Sequence, residues 1–522
     1  MLAHRTTRRE FLAGAGAAMA FMGGCATVSK ERRAMRPNIM IIMADDMGFS
    51  DIGCYGGEIE TPNLDRLAAN GLRFTHFYNA ARCCPTRASL LTGLYPHQAG
   101  VGKMVRFEDF EPGPYQGFLN DRCVTIAEAL RPAGYRTYMS GKWHVGELPA
   151  HWPHTRGFDR YFGLISGASS YYELLSPRRR MALDDQPYTP PEEGFYMTDA
   201  FTDHAVRCIE EHEEEKPFFH YVAYTAPHWP LHAPREVVEK YVGRYRCGWD
   251  ALREERYRRL VAMGIIRPEW ALAPRDDEVP AWSEVADEIE DWDLRMAVYA
   301  AMVDRMDWNI GRILDALEKN GALENTLILF LSDNGGCHEG IEGDKRHVAG
   351  TRHGDRGAFT AYKRPWANAS NTPFRLFKHW VHEGGCSTPL IAHWPRAIRE
   401  GGGFTHEVGH VIDLMATCVD VAGATYPEAV NGVPIQPMEG RSLVPVLRGE
   451  RWRMPRHLAW EHYGNRAIRV GDWKLVARQK GPWALYNLAE DRTELNDRIA
   501  EWPGLAADLE AEYAAWAARV GV

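Results

Sequence analysis

The chain of 522 residues carries 61 Lys and Arg against 70 Asp and Glu, a formal charge of −9, with 45% hydrophobic and 25% charged residues. That is the composition of a globular protein long enough for two or three domains, or for one large α/β domain with a smaller companion. A pI near 6.2 argues against a general binder of nucleic acid or anionic membranes, and ten cysteines scattered mostly singly exclude a small disulfide-stapled scaffold.

At the N-terminus, Arg5-Thr6-Thr7-Arg8-Arg9 precedes Phe11 to Gly24, a Gly/Ala-rich stretch too short to span a bilayer as a helix. The paired arginines resemble a twin-arginine export signal, and Met22-Gly23-Gly24-Cys25 resembles a bacterial lipoprotein cleavage site. Residues 1–36 are therefore expected to be an export signal and tether, with a lipid on Cys25 and a periplasmic or cell-surface destination. A cleaved signal without lipid is the alternative.

Asn38 to Met43 is a short, continuously apolar run, which predicts a strand buried on both faces of a parallel sheet. Tyr135 to Met139, Phe218 to Tyr224 and Thr326 to Leu331 read the same way. Tyr299, Val303, Met306, Ile310, Ile313, Leu314 and Leu317 recur at three- and four-residue steps and predict an amphipathic helix over Leu294 to Lys319. Strand-helix alternation gives an α/β fold class, a large mainly parallel sheet flanked by helices. Trp229 to Asp293, charged and aromatic, reads as an insertion near the mouth of a site, with surface helices at Glu236 to Lys240 and Asp250 to Glu255. Pro437 to Arg453 reads as a linker. Beyond it, strands at His457 to His462, Ala467 to Val470 and Trp473 to Ala477 and a helix at Leu505 to Val520 predict a small α+β unit. The expected domains are 37–440 and 441–522.

Polar clusters follow each apolar run: Asp45-Asp46, Lys142-Trp143-His144, Pro227-His228 and Asp333-Asn334-Gly335. Ligands of open α/β sheets sit beyond the carboxyl ends of the strands, so four such clusters are expected to converge on one pocket. Asp45, Asp46, Asp333 and Asn334 together form an all-oxygen set of three carboxylates and an amide carbonyl, suited to Ca²⁺ or Mg²⁺ and poorly suited to zinc.

The sharpest local signal is Cys83-Cys84-Pro85-Thr86-Arg87, followed by Leu90-Leu91-Thr92-Gly93. Vicinal cysteines also occur as redox pairs or soft-metal ligands, but neither explains Pro85 and Arg87. Cys-x-Pro-x-Arg with this tail resembles the signature of the type I, formylglycine-dependent sulfatases of the alkaline phosphatase superfamily, and the resemblance extends along nearly the whole chain. It implies oxidation of Cys83 to formylglycine by a formylglycine-generating enzyme, with Thr86 standing where the family often has Ser or Ala. It also implies a divalent cation, Ca²⁺ first and Mg²⁺ second, held by Asp45, Asp46, Asp333, Asn334 and the modified Cys83. The family's Gly-Lys-x-His segment falls on Lys142 and His144, its Pro-His segment on His228, and its Lys before Glu-Gly-Gly on Lys378.

The implied reaction is hydrolysis of a sulfate ester through a covalent sulfoenzyme. Lys142, Lys378 and Arg87 would supply fixed positive charge, His228 with Lys378 would protonate the leaving oxygen, and His144 would act as base for sulfate release. Related formylglycine enzymes cleave phosphate diesters or phosphonate monoesters, and a non-catalytic binder of sulfated glycans is a third reading, disfavoured because every required polar position is filled. The expected partner is a sulfated small molecule or glycan fragment; Trp143, Trp229 and Trp366 lie near the motifs, where an indole face could stack on its ring, and the plain alternative is that most tryptophans are core or rim packing. His97, His232, His379 and His382 are read as structural or rim residues.

Overall fold

The computed structural model describes residues 36–105, 111–175, 177–213, 215–452 and 454–522. The expected export signal and Cys25 lie outside the described residues. Strand β1 (Asn38–Ala44) is fully buried from Ile39 onward. Ile39, Ile41 and Met43 enter one hydrophobic core and Met40, Ile42 and Ala44 another, as the two-sided burial of its apolar run requires.

Nine further strands join it: β2 (Leu72–Phe74), β3 (Arg136–Gly141), β4 (Arg160–Leu164), β5 (Met181–Leu183), β6 (Gln186–Tyr188), β7 (Phe218–Ala223), β8 (Thr326–Ser332), β9 (Leu390–His393) and β10 (Gly403–Thr405). Their order is β10-β2-β9-β8-β1-β7-β3-β4-β5-β6. The middle five, β8-β1-β7-β3-β4, are parallel, whereas β9 runs antiparallel to β8 and β2, and β5 and β6 close the far edge as antiparallel strands. The sheet is thus mixed overall with a parallel centre. Ala44 pairs with Ser332, and Gly141 with Ala223, so the strands that precede the polar clusters end at one edge. Gly141 has φ 117°, and a Cβ there would lie 2.0 Å from the Ala223 carbonyl oxygen, so only glycine lets β3 and β7 finish side by side.

Helices α1 (Cys83–Thr92), α2 (Met197–Glu210), α3 (Gly248–Ala262), α4 (Ile289–Lys319) and α5 (Asp413–Ala422) cover the sheet. Helices α1 and α5 pack into one core, and α2, α3 and α4 into the other. Helix α4 begins five residues before the expected Leu294, because Glu290 and Asp291 suit its first turn and Trp292 and Asp293 are buried.

The helices of the segment Trp229 to Asp293 keep exposed faces at Glu236, Glu239, Ala251 and Glu254, but the segment packs deeper than its charge suggested. Trp249, Leu252 and Leu260 of α3 lie in the core, and so does Arg256. Its guanidinium sits 2.7 Å from Asp51 and 2.8 Å from Glu58, so the charges pair inside the protein. In the preceding helix, Arg235–Val238, both valines are buried. The Pro437 to Arg453 stretch is likewise packed: Leu443, Val444, Val446 and Leu447 belong to the core beside α5. The C-terminal unit has four antiparallel strands, β11 (His457–His462), β12 (Asn465–Val470), β13 (Trp473–Ala477) and β14 (Ala484–Asn487), with helix α6 (Pro503–Val520) against them. Strand β14 was not expected, because four residues carry no readable alternation; Leu485 and Tyr486 earn their place by burial in the third core. Among the described residues no helix is long and apolar enough to cross a membrane.

Replacing Arg256 by Met leaves Asp51 and Glu58 buried without their cation. The expected cost is about 3–5 kcal/mol, read as a lower urea midpoint. An unchanged midpoint would show that α3 does not contribute to the core as described.

Candidate active site

The ten residues singled out from the sequence converge on one buried site. Cys83, Arg87, Lys142, His144, His228, Lys378, Asp45, Asp46, Asp333 and Asn334 are each no more than 6% exposed. Asp45 and Asp46 follow β1 directly, Lys142 and His144 follow β3, and Asp333 and Asn334 follow β8. The exits are tied to one another by backbone. Asp45 N–H donates to the Ala226 carbonyl at 2.9 Å, Lys142 N–H to Ala223 at 2.7 Å, and Asp333 N–H to Ala44 at 3.1 Å. Asp46 (φ 68°) and His144 (φ 56°) adopt the left-handed conformation, a local strain of about 1–3 kcal/mol each that the surrounding structure must hold.

Cys83 opens α1, with Arg82 as the helix N-cap. Thr86 accepts the Ala80 N–H at 2.9 Å and so pins the loop leading into Cys83, while Cys84 turns away toward the Lys103 carbonyl and Met104, both at 3.5 Å. Cys83, Cys84 and His144 bring their ligating atoms within 4.8 Å of one another. Contact with Cys84, together with Lys142 and His144, lowers the Cys83 thiol well below its usual range, and burial raises Cys84 well above it.

Carboxylates and cations alternate around the site. Lys142 Nζ is 2.5 Å from Asp45 Oδ2, and Arg87 is 2.7 Å from Asp333 Oδ2 and 3.7 Å from Asp45 Oδ2. Lys378 Nζ is 2.8 Å from Asp46 Oδ2 and 3.2 Å from His228 Nε2. Burial lifts Asp45 and Asp333 above the usual carboxylate range; against the same burial, Lys378 and His228 hold Asp46 below it. Burial also pulls His144 down to about 4 and His228 to about 3, which leaves both rings neutral near pH 7.

Two buried oxygens, Asp45 Oδ1 and Asn334 Oδ1, have no hydrogen-bond partner among the described residues. Asp46 and Asp333 are joined to the same group, since Asn334 Nδ2 donates to Asp46 Oδ1 at 2.7 Å and Asp46 N–H to Asp333 Oδ1 at 3.1 Å. Unpaired buried carboxylate and amide oxygens within one cluster of acidic side chains fit a hard divalent cation.

Some residues escaped the sequence reading. Glu339 bonds Arg82 at 2.9 Å, accepts from Trp229 Nε1 at 3.0 Å and stands 3.9 Å from Lys378. It lies in a loop with no motif to mark it. Tyr221, hidden inside an apolar strand, places its hydroxyl 3.5 Å from Arg87. Of the three tryptophans, Trp143 and Trp366 have no exposure and bond the carbonyls of His151 and Trp292, so neither can stack on a substrate. Trp229 is half-buried, its ring centroid 4.6 Å from that of His228.

The sulfatase family profile matches residues 37–424, and the profile described as N-sulphoglucosamine sulphohydrolase, C-terminal, matches residues 374–510. The chain is 34% identical to an uncharacterized sulfatase of Schizosaccharomyces pombe, over 95% of this chain and 96% of that protein. It is 33% identical to an arylsulfatase of Klebsiella aerogenes, over 83% of this chain and 96% of that protein. A solved structure in complex with its substrate, D-glucosamine-2-N,6-O-disulfate, matches with TM-score 0.63 at 25% identity, covering 93% of this chain and 98% of that one.

Protein purified without chelators is expected to hold about one Ca²⁺ or Mg²⁺ per chain, and Asn334→Ala and Asp45→Ala to lose most of it, by elemental analysis. Stoichiometric zinc with only trace Ca²⁺ and Mg²⁺ would contradict the oxygen-donor argument.

Proposed function

Since this chain belongs to the sulfatase family and is a sulfuric ester hydrolase, we propose that it cleaves a sulfated sugar with a formylglycine formed from Cys83. The observation that carries this reading is the position of Cys83, at the start of α1, buried beside His144 and within the ring of Asp45, Asp46, Asp333, Lys142 and Arg87. The hydrated aldehyde supplies two geminal hydroxyls, one to attack sulfur and one whose deprotonation expels sulfate, whereas a thiol or serine hydroxyl lacks the second. Asp45, Asp46, Asp333 and Asn334 would hold Ca²⁺ or Mg²⁺, which withdraws charge from the nucleophile and the ester oxygens.

The remaining side chains divide the work by geometry. Sulfate esters have an anion-shielded sulfur, so Lys142, Arg87 and Lys378, fixed by their carboxylate partners, neutralise the oxygens around it. His228 Nδ1 lies 2.6 Å from the Trp229 carbonyl, an acceptor only, so Nδ1 carries the proton and Nε2 is bare in the neutral ring. Lys378 then donates to Nε2 at 3.2 Å, and the pair passes one proton to the departing alcohol oxygen. His144, neutral and beside Cys83, is the base for the second step.

Maturation by a formylglycine-generating enzyme belongs to the same proposal. So does twin-arginine export to the periplasm or cell surface with a lipid on Cys25, supported by Arg8-Arg9 and Gly23-Gly24-Cys25.

Because Arg82 precedes it, trypsin should release Cys83 to Arg87 as one peptide carrying an aldehyde or its hydrate. A free Cys83 thiol in fully active enzyme would sink the mechanism. A general acid matters most for poor leaving groups, so His228→Ala should lose about 100-fold or more on sugar sulfates and far less on 4-nitrophenyl sulfate. Equal losses on both substrates would refute the role given to His228.

A further inference from the structure

The wall that carries His228 and Lys378 holds one acidic side chain to which the reaction assigns nothing, Glu339. It lies in the loop after β8, and that loop is fixed. Gly336 N–H donates to Asn371 Oδ1 at 2.8 Å, Cys337 N–H donates to the Tyr362 hydroxyl at 3.1 Å, and the Gly336 carbonyl accepts the Lys378 N–H at 3.2 Å. From there the carboxylate reaches three side chains. One oxygen takes the Arg82 guanidinium at 2.9 Å, and the other accepts from Trp229 Nε1 at 3.0 Å and stands 3.9 Å from Lys378 Nζ. Burial opposes its ionisation, but Lys378 and Arg82 outweigh burial and hold Glu339 below the usual carboxylate range.

Each of the three partners touches the reacting groups. Arg82 is the N-cap of α1, directly before Cys83. Lys378 Nζ donates to His228 Nε2 at 3.2 Å. The Trp229 carbonyl takes the other nitrogen of the same ring, Nδ1, at 2.6 Å, and the indole packs on that ring at 4.6 Å between centroids. On the Trp229 side away from Glu339 the only further ring contact is edge-on with Phe359, at 6.0 Å. Packing of this kind lets an indole slide in its own plane, whereas a hydrogen bond to a carboxylate is directional and stops it. His228 is thus gripped at both nitrogens by neighbours that Glu339 holds in place. Proton transfer is sensitive to that grip, since a misplacement of about 1 Å can cost on the order of 100-fold.

We propose that Glu339 is a positioning residue for ester cleavage: through Trp229 and Lys378 it fixes His228 against the departing alcohol oxygen, and through Arg82 it ties this pair to the start of the helix that bears Cys83. It acts through these neighbours and not on the ester itself. The inference rests on the reading of His228 with Lys378 as the proton donor to the leaving group.

The test is the leaving-group dependence of kcat and KM on aryl sulfates whose phenols range from 4-nitrophenol to unsubstituted phenol. Glu339→Ala is expected to lose about tenfold in kcat on phenyl sulfate and no more than about twofold on 4-nitrophenyl sulfate, with KM within about twofold on both. Glu339→Gln, which keeps an acceptor for the indole, should recover part of the loss. Trp229→Phe removes the same hydrogen bond from its other end and should steepen the dependence in the same way, with a combined loss in the double variant smaller than the product of the two. A uniform loss across the series in Glu339→Ala, or a raised KM with kcat unchanged, would overturn the proposal. Failure of the underlying reading is distinguishable, because His228→Ala would then show no leaving-group dependence, whereas a steep His228→Ala series beside a flat Glu339→Ala series defeats the positioning role alone.

Discussion

The structure is organised around one electrostatic constraint: three carboxylates, Asp45, Asp46 and Asp333, stand together with essentially no exposure to water. Left alone, such a group cannot stay ionised. Lys142, Arg87 and Lys378 each take one of them, and two oxygens are still left without a hydrogen bond. The site is therefore a nearly balanced cluster of fixed charge that becomes complete with a divalent cation and an anionic substrate.

Holding that cluster requires loops from distant parts of the chain to stay in register, and the C-terminal unit does much of the holding. Lys378 lies five residues before Glu383, whose short turn (Glu383–Cys386) also contacts the Asp333 loop through Gly335 N–H to the Gly385 carbonyl at 3.0 Å. Lys378 N–H bonds Gly336 at 3.2 Å. Glu383 is in turn clamped by Lys474 of β13 at 2.8 Å, by Arg492 at 3.4 Å and by the Tyr78 hydroxyl at 2.8 Å, all buried. A substitution in the small sheet can thus reach the site without touching it.

Charge inside the protein also explains where pattern and structure part. The Trp229 to Asp293 segment reads as surface because it is rich in Arg, Asp and Glu, yet Arg256 enters the core with two carboxylates as partners. Hydropathy counts residues singly and cannot see that a buried charge has been neutralised by one nearly 200 positions away. The tryptophans mislead in the opposite sense: Trp143 sits between two site residues, but its side chain points into the core while those of Lys142 and His144 point to the site.

The sequence by itself determined the chemistry: continuous apolar runs mark the central strands, since only a strand covered on both faces tolerates them, and the polar pairs at their ends mark the pocket. It also singled out Cys83, the residue proposed to carry the nucleophile, because Cys83-x-Pro85-x-Arg87 is local in the chain and the start of α1 is formed by those residues. What only the tertiary structure decided is everything that depends on pairing across the chain. This includes which cation neutralises which carboxylate, which His228 nitrogen carries the proton, and the supporting roles of Glu339, Tyr221 and Glu383. Those contacts join residues far apart in sequence, and their energies exist only once the sheet order and the packed loops have set the distances.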